Sequence, residues 1–115
     1  MTETETPITA TCPECRGPLV DVLHENAGKQ LHDYRCLVGH RYGPEAILRA
    51  HSETQERQLW SAVLALEESE ILVKAVAENL PSDIRDRLLE QARKKKQQAR
   101  EIRLILDDLE PFETE

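Results

Sequence analysis

The chain has 115 residues, of which 39% are apolar and 32% charged, and its formal net charge is −7. This length fits one compact unit with a small appendage, the acidic balance disfavours polyanionic partners, and no long apolar run predicts a membrane span. Large side chains are scarce, with one Trp, one Phe and two Tyr. We therefore expect a metal ion, a long helical interface or a partner chain to supplement the core.

The N-terminal segment, residues 1–10, reads MTETETPITA and is acidic. It lacks a basic region followed by an apolar run, so it does not predict a secretory signal. We expect a disordered tail here and a cytoplasmic protein, whose thiols stay reduced. The odd number of cysteines, three, also argues against complete disulfide pairing and favours metal binding or catalysis.

A turn-rich module follows in residues 11–43, which contain every cysteine and every glycine of the chain. Residues 18–24 (PLVDVLH) and 31–36 (LHDYRC) are strand-like, and the Asn and Gly between them predict a β-hairpin. Tyr42 could begin a third short strand.

Two long helices are predicted in residues 44–110. Pro44 suits the first turn of a helix, because its missing N–H costs nothing there. The NLPSD segment, residues 79–83, interrupts the helical pattern, and the short turn should make the two helices antiparallel. Residues 111–115 are predicted to be a tail.

The cysteines and one histidine have the spacing of a metal site. Cys12 and Cys15 have the two-residue gap of a zinc knuckle, and Cys36 and His40 supply a second pair. A β-hairpin between the pairs would bring them together. Three cysteines and one histidine are a standard ligand set for structural zinc, so we predict one Zn²⁺ per chain.

Other interpretations of the cysteines are weaker. A redox CxxC motif would need a thioredoxin-like βαβ context, which the sequence lacks. Iron is less suited than zinc to a site with an imidazole ligand. A catalytic zinc ion needs an open coordination position, which four strong ligands would close. Unliganded cysteines are also disfavoured, since little here could bury three thiols.

The remaining histidines are rivals for the fourth ligand position. His24 and His32 lie on predicted strands, where a surface histidine is the ordinary interpretation. His51 is expected to be exposed on the first helix. His40 has the better spacing, four residues after Cys36 across a glycine-containing turn.

Both helices carry a heptad-like apolar seam. The first seam is Leu59, Val63, Leu66, Val73, Ala77 and Leu80, and the second is Ile84, Leu88, Ala92, Ala99, Ile102, Leu106 and Leu109. A further apolar stripe on the first helix is Trp60, Leu64, Ile71 and Ala75. Two helices cannot bury this surplus, so it predicts a further contact, with the zinc module, a partner protein or a second copy.

The fold class predicted from these elements is mainly α. A small N-terminal zinc ribbon, built on a β-hairpin, precedes a long antiparallel helical hairpin, and two copies could form a four-helix bundle. Within the basic run RKKKQQAR, residues 93–100, positions 93–96 are expected to lie opposite residues 66–69 across the hairpin, near the acidic segment EESE, residues 67–70. Acidic partners rather than nucleic acid therefore account for the run best.

The motifs in residues 12–48 resemble a known family. CPEC followed by PL, then YRC-x-VGH-x-Y, then PEA-x-L and a Trp-containing helix, are similar to the C-terminal extension of bacterial chemotaxis methylesterase-like proteins. The matching residues are Cys12, Pro13, Glu14, Cys15, Pro18, Leu19, Tyr34, Arg35, Cys36, Val38, Gly39, His40, Tyr42, Pro44, Glu45, Ala46, Leu48 and Trp60.

The resemblance implies a bacterial accessory module near chemotaxis-type signalling. The methylesterase domain and its catalytic serine are absent from this sequence, so no enzymatic role is implied. Arg16 stands where the family often has glycine, at a position that commonly needs φ > 0, which implies a first knuckle that is either slightly strained or differently bent.

These observations favour a non-enzymatic protein that binds a protein partner or itself through its helices. The alternative is a nucleic-acid-binding zinc-ribbon regulator, although the acidic residues of residues 1–43 outnumber the basic ones. A zinc hydrolase would need a general base such as Glu14, whose side chain we expect to point to solvent.

Overall fold

A computed structural model describes residues 2–109 of the chain. Its elements, in chain order, are β1 (Thr2–Thr11), β2 (Pro18–Asn26), β3 (Lys29–Cys36), β4 (Arg41–Tyr42), α1 (Pro44–Ala77) and α2 (Ser82–Asp108). Two compact units divide between Thr54 and Gln55, within α1. We call residues 2–54 the sheet unit and residues 55–109 the helical unit. The predicted tail at residues 111–115 lies outside the described residues.

The sheet unit contains four antiparallel strands in the order β1-β2-β3-β4. The predicted hairpin is present as β2 and β3, and the predicted third strand at Tyr42 is confirmed as β4. The hairpin turn uses Ala27 and Gly28, both with positive φ, at 53° and 80°. Two successive residues with φ > 0 are what a type I′ hairpin turn requires.

The prediction of a disordered tail in residues 1–10 is wrong for the described part of that segment. Residues 2–8 pair with β2 in continuous register, from Thr2 opposite Glu25 to Ile8 opposite Leu19. Threonine alternates with glutamate here, and β-branched threonine fits a pleated strand. Because β1 is at the edge of the sheet, Pro7 is tolerated. The prediction of a disordered tail rested on the acidic composition and did not take this period-two pattern into account.

A small buried cluster lies at one end of the sheet. Cys12, Leu19 and Cys36 form it, and Ile8, Tyr42 and Ile47 pack against it. Ile47 belongs to the first turns of α1, so these turns are part of the sheet unit, and the unit extends beyond the predicted boundary before Pro44. Two of the three central residues are cysteines, so the metal-ligand candidates are also core residues.

The helical unit is an antiparallel pair whose predicted seams are largely buried. Its fully or nearly fully buried residues are Val63, Ala77, Ala92 and Ala99. Most other seam positions are partly buried, while Ile84 and Leu109, at the two ends of the second seam, are exposed. Among the described residues, no helix has the length and apolar character that a membrane crossing requires.

Oppositely charged groups of the two helices meet, as predicted, although not all at the predicted positions. Arg103 donates to Glu67 Oε1 at 2.7 Å, and its guanidinium carbon lies 5.3 Å from the Trp60 ring centroid. The pKa of Glu70 is lowered, first by its bond to Lys74 and further by Lys96 and Arg100. The ion-pair partner of Glu67 is therefore Arg103, outside the basic run, whereas Lys96 and Arg100 of that run act electrostatically on Glu70.

Candidate metal centre

Three thiols and one imidazole converge at the end of the sheet. Cys12 and Cys15 lie in the turn between β1 and β2, which we call the first knuckle (residues 12–17). Cys36 is the last residue of β3, and His40 lies in the turn between β3 and β4; we call residues 36–40 the second knuckle. The ligand atoms of these four residues all lie within 4.8 Å of one another. All three cysteines are free thiols, so the structure brings together the set that the sequence predicts.

The gaps between the ligand atoms fit one metal ion. His40 Nδ1 lies 3.6 Å from Cys12 Sγ and 3.3 Å from Cys36 Sγ, and Cys15 Sγ lies 3.6 Å from Cys36 Sγ. A tetrahedral ion with metal–sulfur bonds of about 2.3 Å and metal–nitrogen bonds of about 2.1 Å separates its ligand atoms by about 3.6–3.8 Å. The four residues are therefore spaced to hold a metal ion.

The first knuckle is a tight turn closed by two backbone hydrogen bonds. Cys12 N–H donates to Gly17 O at 2.7 Å, and Arg16 N–H donates to Cys12 O at 2.8 Å. Arg16 has φ of 64°, in the left-handed region that favours glycine. The expectation that this position needs positive φ is confirmed, and a non-glycine residue there stores strain.

The second knuckle directs backbone N–H groups at Cys36. His40 N–H donates to Cys36 Sγ at 3.4 Å, and Gly39 N–H donates to Cys36 O at 3.2 Å. Gly39 has φ of 112°, a conformation that side-chain-bearing residues rarely adopt. Glycine is needed here so that the chain can turn back and place His40 beside Cys36.

These N–H groups prepare Cys36 to be a thiolate. Burial is the largest influence and raises its pKa, but hydrogen bonds from the backbone of His40 and Gly39, joined by Cys15 and the His40 ring, outweigh it. The net effect lowers the pKa of Cys36 from 9.0 to about 6. Thiolate, not thiol, is the form that binds metal, so this ligand is deprotonated near neutral pH even without an ion.

The two thiols of the first knuckle differ from each other. Burial raises the pKa of Cys12, but backbone hydrogen bonds from Cys15 and Glu14 lower it overall. A backbone hydrogen bond at Gly17 lowers the pKa of Cys15, yet burial and the neighbouring Cys36 and Cys12 raise it overall. A metal ion must therefore displace a proton from Cys15 to complete its ligand set.

Glu14 does not simply point to solvent, contrary to the expectation from sequence. Its Oε2 lies 3.0 Å from His40 Nε2, and its Oε1 accepts a hydrogen bond from the Tyr42 hydroxyl at 2.7 Å. A carboxylate on the far nitrogen of a ligating imidazole fixes the ring's tautomer and orientation. Here it leaves Nδ1 facing the thiols. The pKa of His40 is raised, chiefly by its hydrogen bond to Cys36, with Glu14 contributing.

Two further residues, neither of them predicted from the sequence to have this role, support the first knuckle. The Tyr42 hydroxyl lies 3.7 Å from Cys12 Sγ, and burial followed by its bond to Glu14 raises its pKa well above the usual range. Thr54 is buried, and its Oγ1 donates to Pro13 O at 3.5 Å. The only available signal was the placement of Tyr42 two residues after His40.

The rival histidines lie away from the four ligands. His24 contacts Glu3 and Asp33, each at 3.4 Å, and His32 Nδ1 lies 2.7 Å from Asp21 Oδ1. His51 is exposed on α1. Each of the strand histidines has a carboxylate partner instead of a place in the thiol cluster.

The four candidate ligands differ in their exposure to solvent. Cys12 and Cys36 are buried, whereas Cys15 is exposed and His40 partly exposed. Four strong ligands fill the coordination sphere of a tetrahedral ion and leave no position for water or substrate. The arrangement is thus chemically suited to holding two turns together, with one thiol reachable from solvent.

Comparisons with known proteins add no relative to this picture. The chain matches no protein-family model, no curated protein and no solved structure.

Proposed function

We propose that the protein is a non-enzymatic interaction module of the cytoplasm. A structural zinc ion stabilises the sheet unit, and the outer stripe of α1 (Trp60, Leu64, Ile71 and Ala75) binds another protein. The observation that carries the proposal is the exposure of this stripe, described below.

Zinc is the ion that the ligand chemistry favours. Three thiolates and one imidazole suit zinc better than magnesium or calcium, which prefer oxygen ligands. The structural role follows from the shortage of other core material. Cys12 and Cys36 make up much of the buried cluster around Leu19, so an ion joining the two knuckles would replace the large apolar core that this unit lacks.

The side chains of the outer stripe are largely exposed, so the contact between α1 and α2 does not cover them. Trp60, Leu64 and Ile71 are 41%, 58% and 68% exposed, and the flanking Leu72 is 65% exposed. The adjacent seam residues are buried or partly buried, so the exposed residues lie together on one side of α1 and are not scattered singly. Contiguous exposed apolar surface on a small protein is typical of an interaction site.

A binding experiment tests this role. The intact protein and its Leu64→Asp variant would each be immobilised and exposed to a bacterial lysate. Leu104→Asp is the matched control, because Leu104 is also exposed, at 67%, but lies on α2. We expect proteins, additional copies of the chain included, to be retained by the wild type and the control and lost with Leu64→Asp. If no retention depends on Leu64, the proposed function is wrong.

The narrower assignment to bacterial chemotaxis-type signalling rests on the motif resemblance of residues 12–48 alone. The same experiment tests it, because receptor or methylesterase-like proteins among the Leu64-dependent partners would support it. Partners unrelated to chemotaxis would remove this assignment and leave the interaction role.

The alternative of nucleic-acid binding has one supporting observation. Arg93, Lys94, Lys96, Gln97 and Arg100 line a shallow cavity on α2 together with Glu90. Glu90 forms an ion pair with Arg93. Lys96 and Arg100 help to lower the pKa of Glu70 by electrostatic attraction. Carboxylates of the same chain therefore already offset part of this positive charge. Binding of single- or double-stranded DNA that persists at about 0.3 M salt would favour the alternative, since purely electrostatic contacts weaken steeply there.

A further inference from the structure

We propose that the partner of the outer stripe is a second copy of this chain. The two α1 helices would pack antiparallel about a two-fold axis that passes between Glu67 and Glu68. This inference rests on the proposed function, because it names the occupant of the same apolar face. It is argued from the order of side-chain sizes and charges along α1.

The stripe is complementary to itself when it is reversed. About the proposed axis, Leu64 faces Ile71 of the second copy, and Trp60 faces Ala75 of the second copy. The central pairs are thus medium-sized aliphatic residues, and the outer pairs join the largest side chain to the smallest. A two-fold axis generates each pair twice, which is the self-complementary pattern that an isologous interface requires.

Charges continue the pattern beyond the apolar pairs. About the same axis, Arg57 faces Glu78 of the second copy, the residue directly after the end of α1, and both side chains are exposed. Opposite charges would therefore flank the apolar contact at both ends. Such pairs contribute little affinity but fix register.

Of the two carboxylates nearest the axis, that of Glu67 is paired with a basic side chain within each chain. Glu67 accepts a hydrogen bond from Arg103 at 2.7 Å, and the same guanidinium lies against the Trp60 ring. Glu68 is exposed and lies at the edge of the stripe. We therefore expect Glu68→Gln to strengthen self-association, because it removes one negative charge from each side of the axis.

The two helices differ in a way that suits this arrangement. Beyond its seam, α1 carries the apolar stripe, whereas the middle of α2 carries the basic run of residues 93–100. A dimer built on α1 would keep the charged side of both α2 helices in solvent. The result is a four-helix arrangement with two α1 helices at its centre.

Light scattering on the full-length, metal-loaded protein is the first test. We expect twice the chain mass of 13.2 kDa for the wild type and for Leu104→Asp, and a monomer for Leu64→Asp. Circular dichroism should show unchanged helix content in both variants, because both side chains are exposed. A monomeric wild type would overturn the dimer, while Leu64-dependent binding of another protein would leave the proposed function intact.

A charge exchange tests the antiparallel register. Arg57→Glu and Glu78→Arg should each weaken the dimer about tenfold, because each variant places two like-charged pairs across the interface. An equimolar mixture of the two variants should restore wild-type affinity as a heterodimer, since every pair then joins opposite charges. A mixture that associates no better than the single variants would overturn this register.

Discussion

The two units of this protein are stabilised in opposite ways. In the sheet unit, four side chains from two turns converge on one point, and the buried cluster around Leu19 is small. In the helical unit, stability is distributed along two seams in which small residues such as Ala92 and Ala99 are buried. We therefore predict that the stability of the sheet unit depends on one bound ion, whereas that of the helical unit depends on many modest contacts.

Removing one metal ligand should give the largest difference in stability between the two units. We expect Cys36→Ser to release the metal and unfold the sheet unit, because a structural zinc site contributes about 10–16 kcal/mol, more than a small domain's whole stability. The helical unit should keep its helix signal. Native mass spectrometry and circular dichroism measure the two effects.

His24→Ala is the control for this prediction, because His24 contacts carboxylates and not the thiols. The same result is expected for His40→Ala as for Cys36→Ser. Retention of a full complement of metal by both ligand variants would refute the metal centre.

The converse experiment places a charge in the helical seam. Val63 is fully buried, so Val63→Asp should lower the free energy of unfolding of the helical unit by about 3 kcal/mol or more, because an unpaired buried charge is costly. The metal content should not change. Ala65→Asp is the control, because Ala65 is exposed on the same helix. Loss of metal from Val63→Asp would show that the units are not independent.

Acid should also distinguish the units. Bound metal holds Cys36 and Cys15 deprotonated and His40 neutral, so protons compete with the ion. The pKa of Cys36 is about 6 and those of Cys15 and His40 are raised, so affinity should fall as the pH falls, by about tenfold per pH unit for each proton that rebinds.

The fall should be steepest below pH 6, where Cys36 also binds a proton. Residues 55–109 contain neither cysteine nor histidine, so the helix signal should stay constant between pH 8 and 5. Competition with a chromophoric chelator measures the affinity. An affinity that is independent of pH would contradict thiolate and imidazole ligation.

Substitution of Glu14 should have a smaller effect, a loss of metal affinity confined to the sheet unit. Glu14→Ala should weaken metal binding about 10- to 100-fold, because the His40 ring loses the carboxylate that orients it. Metal titration measures this, and Glu25→Ala, at an exposed position in β2, is the control. Equal affinity in the two variants would mean that the Glu14–His40 contact does not support the ligand.

The smallest predicted effect is a gain in stability at the first knuckle. Arg16 has φ of 64°, so Arg16→Gly should relieve strain and raise the free energy of unfolding of the sheet unit by about 1 kcal/mol. Gly39→Ala should do the reverse, because Gly39 has φ of 112°. Thermal unfolding of the metal-loaded protein measures both, and a loss of stability in Arg16→Gly would contradict the strain.

The sequence by itself determined the ligand set and the helical seams. Spacing is local information: a two-residue gap places Cys12 and Cys15 in one turn, and a 3–4 residue period places Val63 and Ala77 on one helix face. The hairpin was also predictable, because its turn residues lie between two strand-like segments.

Tertiary structure decided the rest, because it depends on which distant groups meet. Residues 2–8 are acidic and polar, and they form a strand only because β2 offers a pairing edge. Glu14 supports His40 because the two knuckles approach each other. Glu67 pairs with Arg103, which lies outside the basic run, because the folded helix pair brings these two residues together. A linear sequence specifies periodicity and spacing, whereas these contacts depend on how the folded segments lie against one another.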